Sequence, residues 1–99
     1  VGKAKFFLVG DPTHQLTNLF GVHIPEEGLA LRGTFVIDPS GTIKTMEVHS
    51  NEIARDVKET VRKLKAAQYT AAHPGEVCPA KWKDGDKTLK PSIDLVGKI

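Results

Sequence analysis

Apolar residues in the first half of the chain come in short runs separated by breakers. The run KFFLV at residues 5–9 is followed by a Gly-Asp-Pro breaker and predicts a buried strand. Residues 13–20 have apolar positions spaced by three and four, which favours a short helix that Thr13 caps and Gly21 ends. Residues 23–31 contain a proline and a glycine and are predicted to form a loop.

The second half is predicted to contain a hairpin, a long helix and a tail. The β-rich segments TFVI (34–37) and TIKTMEV (42–48) flank Asp-Pro-Ser-Gly, an order typical of a type I turn. Ser50 or Asn51 is then expected to cap the longest helix. One apolar stripe at helical spacing follows, at Ile53, Val57, Val61 and Leu64. Residues 73–99 have no sustained periodicity and are predicted to be a tail.

The predicted order is β-α-β-β-α followed by the tail, which indicates an α/β fold. Two strands joined through a helix should lie parallel with a right-handed crossover, and the hairpin adds an antiparallel strand. The sheet is therefore expected to be mixed. Three short strands and two helices cover a sheet poorly, so residues 1–72 resemble the second half of a thioredoxin-type sandwich. The chain has no initiator methionine, and we expect that it begins inside a longer protein.

Composition and charge exclude several classes of protein. Hydrophobic residues make up 39% of the chain and charged residues 26%, which is ordinary for a soluble globular protein. The net charge is only +2, and no basic stripe is interleaved with aromatic residues, which argues against nucleic-acid binding. No run approaches the ~18 apolar residues of a membrane span. A single cysteine excludes an intramolecular disulfide, so a reducing cytoplasm is the expected location.

Few residues in the chain are candidates for chemistry. The four histidines match no zinc spacing, and no phosphate-binding loop or hydrolase motif occurs. Arg32 precedes the strand TFVI, and Arg55 lies near the predicted start of the long helix. Each is either a solvated arginine or a fixed cation that lowers the pKa of a thiol or orients an oxygen ligand.

Cys78 lies in the segment HPGEVCPAKW, which has neither helical nor strand periodicity. A buried, inert cysteine would normally lie on an apolar face. A thiol on a mobile tail can instead travel to a partner sulfur. No C-x-x-C pair occurs, so that partner would lie on another segment or another chain. The residues alone leave this interpretation open beside that of an incidental free thiol.

Four stretches of the sequence resemble one known family. GEVCPA followed by a tryptophan, together with LRGTFVIDP, LKAAQY and the terminal DLVGKI, is similar to the C-terminal half of bacterial typical two-cysteine peroxiredoxins of the alkyl hydroperoxide reductase type. The likeness covers essentially the whole chain. The segment around Cys78 is the most specific of the four, since it resembles the resolving-cysteine segment of that family.

The resemblance implies a thiol-dependent peroxidase for hydrogen peroxide and alkyl hydroperoxides. It implies no metal or organic cofactor, because the chemistry is that of a thiolate and a sulfenic acid. It implies that Cys78 is the resolving cysteine, which joins the peroxidatic cysteine of a partner subunit in a disulfide. Arg32 would stabilise the peroxidatic thiolate and position the peroxide, and Arg55 would belong to a supporting salt-bridge network. The resemblance further implies a homodimer through the strand at 42–48, assembly into a decamer, and reduction by a flavoprotein disulfide reductase or a thioredoxin-like protein.

The sequence also departs from the family pattern. The peroxidatic motif P-x-x-x-T-x-x-C is absent, and Gly75 and Ala71 stand where Cys78 would need its threonine and proline. Ala54 replaces the usual glycine before the second arginine, and Phe7 stands where many relatives have a proline. The segment alone is therefore expected to be inactive. The alternative function is a non-catalytic thioredoxin-like module for association or redox signalling.

Overall fold

The computed structural model describes residues 5–91, so the terminal motif DLVGKI lies outside the described residues. The described part contains two helices and four strands. They are α1 (Gln15–Leu19), β1 (His23–Ile24), β2 (Leu29–Ala30), β3 (Arg32–Ile37), β4 (Ile43–His49) and α2 (Val57–Ala72). Within residues 5–91, no helix is both long enough and apolar enough to cross a membrane.

Strands β3 and β4 form the predicted hairpin. They pair antiparallel, with Arg32 opposite His49 at one end and Ile37 opposite Ile43 at the other, and the register shifts once after Val36. Both strands begin or end within two residues of the predicted limits. The β-branched and aromatic residues of TFVI favour this extended pairing.

The turn between the two strands is held by one aspartate. The carboxylate of Asp38 accepts hydrogen bonds from the backbone N–H groups of Ser40 (3.0 Å) and Thr42 (2.9 Å). Hydrogen bonds from Ser40 and Thr42 lower the pKa of Asp38. Gly41 has φ +88°, a backbone conformation that favours glycine. The predicted turn chemistry is therefore confirmed.

Helix α2 forms as predicted but begins later than expected. The predicted caps Ser50 and Asn51 are wrong, since residues 51–56 form a turn and an irregular segment. The helix begins at Val57, and the side chain of Asp56 accepts a hydrogen bond of 3.0 Å from the Lys58 backbone N–H. An aspartate at this position satisfies one of the N–H groups that have no partner within the helix.

Helix α1 is short and has a different cap from the predicted one. Thr13 is not the cap: His14 occupies the N-cap position with φ 60°, and its side chain makes no capping hydrogen bond. The carboxylate of Asp11 instead accepts a hydrogen bond of 3.0 Å from the Thr17 backbone N–H, which lowers the pKa of Asp11. Gly21 follows the helix with φ +71°, as predicted.

The predicted strand at residues 5–9 is wrong, because this segment is irregular and Phe7 is 96% exposed. A strand needs a neighbour for its backbone N–H and C=O groups, and no strand within residues 5–91 pairs with it. Both sheets of the described part are two-stranded and antiparallel, so the expected mixed sheet is not assembled there. The predicted loop at 23–31 contains the small β1–β2 hairpin.

The tail folds back on itself and is partly buried. Val77 and Leu89 form an isolated antiparallel bridge, with N···O distances of 2.6 and 2.8 Å. Trp82 is only 2% exposed, and Val22 is 6% exposed near the other end of the chain. The tail therefore lacks helices and longer strands in the described part, as predicted, yet it is anchored by a buried aromatic side chain.

Candidate functional site

Arg32 is the first residue of β3, and its side chain is fixed by one hydrogen bond. Its Nε donates to the backbone carbonyl of Asn51 at 2.8 Å, which joins the start of β3 to the turn that follows β4. The residue is exposed. The guanidinium thus lies at the surface. Its position is set by β3, which carries the residue, and by the Asn51 carbonyl, which accepts the hydrogen bond.

Arg55 reaches the same strand from the segment that precedes α2. Its Nη1 donates to the Gly33 carbonyl at 2.8 Å and to the Thr34 hydroxyl at 2.9 Å. Both acceptors are neutral groups. Arg55 therefore bridges the segment before α2 and β3. Neither contact places a carboxylate against its positive charge.

The two arginines line one open groove with a volume of about 370 Å³. The other residues of the groove are small or apolar: Thr34, Ala54, Val57 and Thr60. Sequence reasoning identified Arg32 and Arg55 as separate candidate cations, and the structure brings them together. Two guanidinium groups at one opening favour a thiolate or an oxygen-rich ligand there.

Cys78 lies elsewhere, on the face of α2. Its sulfur is partly buried and lies 4.0 Å from the Ala66 carbonyl, and Cys78 is not among the residues that line the groove. Burial raises the pKa of Cys78, the charge of Arg62 lowers it, and Glu76 raises it. The net effect is an upward shift, so the thiol is protonated at neutral pH.

Arg62 is a residue that sequence reasoning missed. Its Nε and Nη2 donate to the two carboxylate oxygens of Glu59 at 2.8 and 2.6 Å, and its Nη1 donates to the Trp82 carbonyl at 2.7 Å. The i, i+3 spacing from Glu59 was the available signal, because residues three apart lie on one helix face.

Trp82 anchors the tail at this position. Its indole Nε1 donates to the Asp86 carbonyl at 3.0 Å, and its ring centroid is 5.4 Å from that of Tyr69 on α2. The residues alone left open whether Cys78 is a thiol on a mobile tail or an incidental free thiol. In the structure, the segment that carries Cys78 is packed against the helix, so the thiol has a defined place.

Comparisons with known proteins show what the chain is similar to. The sequence model of the AhpC/TSA family matches residues 2–46, and that of the C-terminal domain of 1-Cys peroxiredoxin matches residues 66–98. The chain is 86% identical, over all 99 residues, to alkyl hydroperoxide reductase C of Pseudomonas aeruginosa, of which it covers 53%. The chain matches a segment of a bacterial peroxiredoxin of the AhpC type. Alkyl hydroperoxide reductase C of Salmonella typhimurium is 58% identical over the same length and is also covered to 53%.

Solved structures support the same assignment. A reduced 2-Cys peroxiredoxin of Plasmodium vivax matches with a TM-score of 0.75 and 30% identity, covering 83% of this chain and 42% of that one. AhpC of Enterococcus faecalis matches with a TM-score of 0.66 and 43% identity, covering 70% and 41%. The predicted family resemblance and fold class are thus confirmed. The chain spans about half the length of the curated relatives it matches.

Proposed function

We propose that this chain is part of a thiol-dependent peroxidase that reduces hydrogen peroxide and alkyl hydroperoxides. The observation that carries the proposal is the 86% identity, along the whole chain, to an alkyl hydroperoxide reductase C. The activity belongs to the full-length protein, by which we mean this chain together with the remaining length that its relatives have.

In this proposal Cys78 is the resolving cysteine, and residues 73–99 are the segment that presents it. A thiol that attacks peroxide needs a low pKa, whereas burial raises the pKa of Cys78. A resolving thiol acts later, on the sulfenic acid of the peroxidatic cysteine. The Cys78 thiol first loses its proton to solvent, and its thiolate sulfur attacks the sulfenic sulfur, so that the S–S bond forms and the S–O bond breaks. The leaving hydroxide takes up a proton and becomes water.

The groove of Arg32 and Arg55 supplies the second part of the proposed site. A fixed cation a few ångströms from a thiolate favours its charged form and attracts peroxide oxygens. Both side chains are held by backbone acceptors, so the charges are positioned before a ligand arrives. We assign Arg32 to the peroxidatic thiolate and the peroxide, and Arg55 to the support of Arg32 through β3.

The proposed dimer partner is inferred from the unpaired edge of the β3–β4 hairpin. Within the described residues, β4 pairs only with β3, so its other edge is open to a second chain. We propose a homodimer through β4 that assembles further into a decamer. The disulfide is then reduced by a flavoprotein disulfide reductase or a thioredoxin-like protein, in the cytoplasm.

The resolving role can be tested in the full-length protein. Peroxide should convert it to covalent dimers on a non-reducing gel, and dithiothreitol should reverse them. Cys78→Ser should abolish the dimers while dimedone still traps a sulfenic acid on the other cysteine. Dimers that persist in Cys78→Ser would contradict the assignment. A full-length protein that consumes no peroxide would favour the non-catalytic association or signalling module instead.

The edge assignment needs a separate measurement. Hydrogen exchange of the full-length dimer should show protected amides along β4 on the side that faces away from β3. The substitution Thr45→Pro, in the middle of β4, removes one N–H donor and should weaken the dimer in sedimentation experiments. The corresponding control is Thr13→Pro, in the irregular segment before α1. Complete exchange of the outer β4 amides in the dimer would eliminate this interface.

A further inference from the structure

Arg62 connects helix α2 to the tail. Its contacts lie outside the groove of Arg32 and Arg55. The Nε and Nη2 groups of Arg62 donate two hydrogen bonds to the Glu59 carboxylate, which hold the guanidinium plane, and this leaves Nη1 directed at the Trp82 carbonyl, 2.7 Å away. A bidentate arginine–carboxylate pair has a fixed geometry, which a flexible ammonium group does not reproduce. The orientation of the third contact is therefore set by the first two.

Fixing Trp82 also fixes Cys78, because the connection between them is short and stiff. Pro79 follows the cysteine, and the Trp82 backbone N–H donates to the Pro79 carbonyl at 2.9 Å, which closes a turn. The Cys78 sulfur lies 4.0 Å from the Ala66 carbonyl. Ala66 is one turn beyond Arg62 on the same face of α2, so the thiol and the guanidinium lie on that face together.

We propose that Arg62 is a positioning residue for Cys78, holding residues 78–82 on α2 through its hydrogen bond to the Trp82 carbonyl. The proposal rests on the resolving role of Cys78 proposed above. The charge of Arg62 also opposes burial and Glu76, the two influences that raise the pKa of Cys78. If residues 78–82 detach from α2, the Cys78 thiol moves away from the Arg62 cation, whose charge lowers the pKa of that thiol.

The test is the rate at which iodoacetamide alkylates Cys78 in the reduced full-length protein, measured by peptide mass spectrometry as a function of pH. Arg62→Met should raise the limiting rate at high pH about fivefold, which corresponds to about 1 kcal/mol of easier opening at ~1.4 kcal/mol per tenfold. It should also move the titration midpoint to higher pH. Arg62→Lys should keep the midpoint near that of the unsubstituted protein and still raise the limiting rate.

Lys65→Met is the matched control, because Lys65 is an exposed cation on the same helix. It should change neither the limiting rate nor the midpoint. General destabilisation of α2 would raise the rate without moving the midpoint, so the midpoint separates positioning from a merely structural role. Equal rates and midpoints in Arg62→Met and Lys65→Met would overturn the proposal. Alkylation needs no peroxide, so this outcome is distinct from a failure of the peroxidase assignment.

Discussion

Arg55 donates a hydrogen bond of 2.8 Å to the backbone carbonyl of Gly33, the residue that follows Arg32. The Arg32 side chain in turn binds the Asn51 carbonyl. Within residues 5–91, neither guanidinium forms an ion pair with a carboxylate. Both charges therefore remain available to a ligand in the groove.

The first prediction concerns Arg32. In the full-length protein, Arg32→Ala should raise the pKa of the peroxidatic thiol by about one to three and slow peroxide reduction, because a nearby cation favours the thiolate. Thiolate absorbance measured against pH gives the pKa, and stopped-flow kinetics give the rate. Lys44→Ala removes an exposed cation from β4 and should change neither quantity. An unchanged pKa together with an unchanged rate in Arg32→Ala would remove Arg32 from the site.

The second prediction concerns the backbone that holds Arg55. A Cβ atom at Gly33 would lie 2.9 Å from Phe35 Cε2, which is too close, and 3.2 Å from Val22 Cγ1, which is a tight contact. Gly33→Ala should therefore lower the free energy of unfolding by about 1–3 kcal/mol, the usual cost of overpacking. Urea unfolding measures the change. Gly10→Ala, where no heavy atom lies within 4 Å, should have a much smaller effect.

Local chemistry explains which parts of the fold were predictable. The β3–β4 hairpin follows from the turn residues around Asp38 and Gly41, whose contacts lie within five residues of each other. The apolar run at 5–9 has the composition of a buried strand, but pairing needs a neighbouring strand that composition does not supply. The residues alone predict a strand there and give no information about its partner.

The candidate site also has some parts that the sequence could predict and others that it could not. Cys78 and Arg32 were identifiable because a family motif surrounds each of them. The shared groove of Arg32 and Arg55 depends on contacts across more than twenty residues, with Gly33 and Thr34 as acceptors. The contact between Arg62 and Trp82 is also long-range, and it joins a helix to a segment that has no periodic pattern.

The third prediction tests the corrected start of α2. Asp56→Ala should lower the free energy of unfolding by about 1 kcal/mol, since the capping oxygen that satisfies the Lys58 N–H is lost. Asn51→Ala is the control, because the contact of Asn51 with Arg32 uses the backbone carbonyl and survives the substitution. Urea unfolding of both variants gives the comparison. A larger loss in Asn51→Ala than in Asp56→Ala would restore the cap that the sequence predicted.

The last prediction concerns alkaline pH. Burial raises the pKa of Cys78 above its ordinary value of 9.0. Below that value the thiol is protonated in both the folded and unfolded states, and its contribution to stability is constant. As pH rises through the folded pKa, the unfolded chain has already released its proton while the folded chain retains it. The free energy of unfolding therefore falls over this interval.

Cys78→Ser lacks the titrating thiol and should lose less stability than the unsubstituted protein as pH rises above about 9. All other ionisable groups are common to the two proteins, so the difference between the two curves isolates the thiol. Arg62→Met should extend the loss to higher pH, because the cation that lowers the pKa of Cys78 is gone. Urea unfolding under reducing conditions measures all three. Parallel curves for the unsubstituted protein and Cys78→Ser would mean that the thiol is not buried in solution.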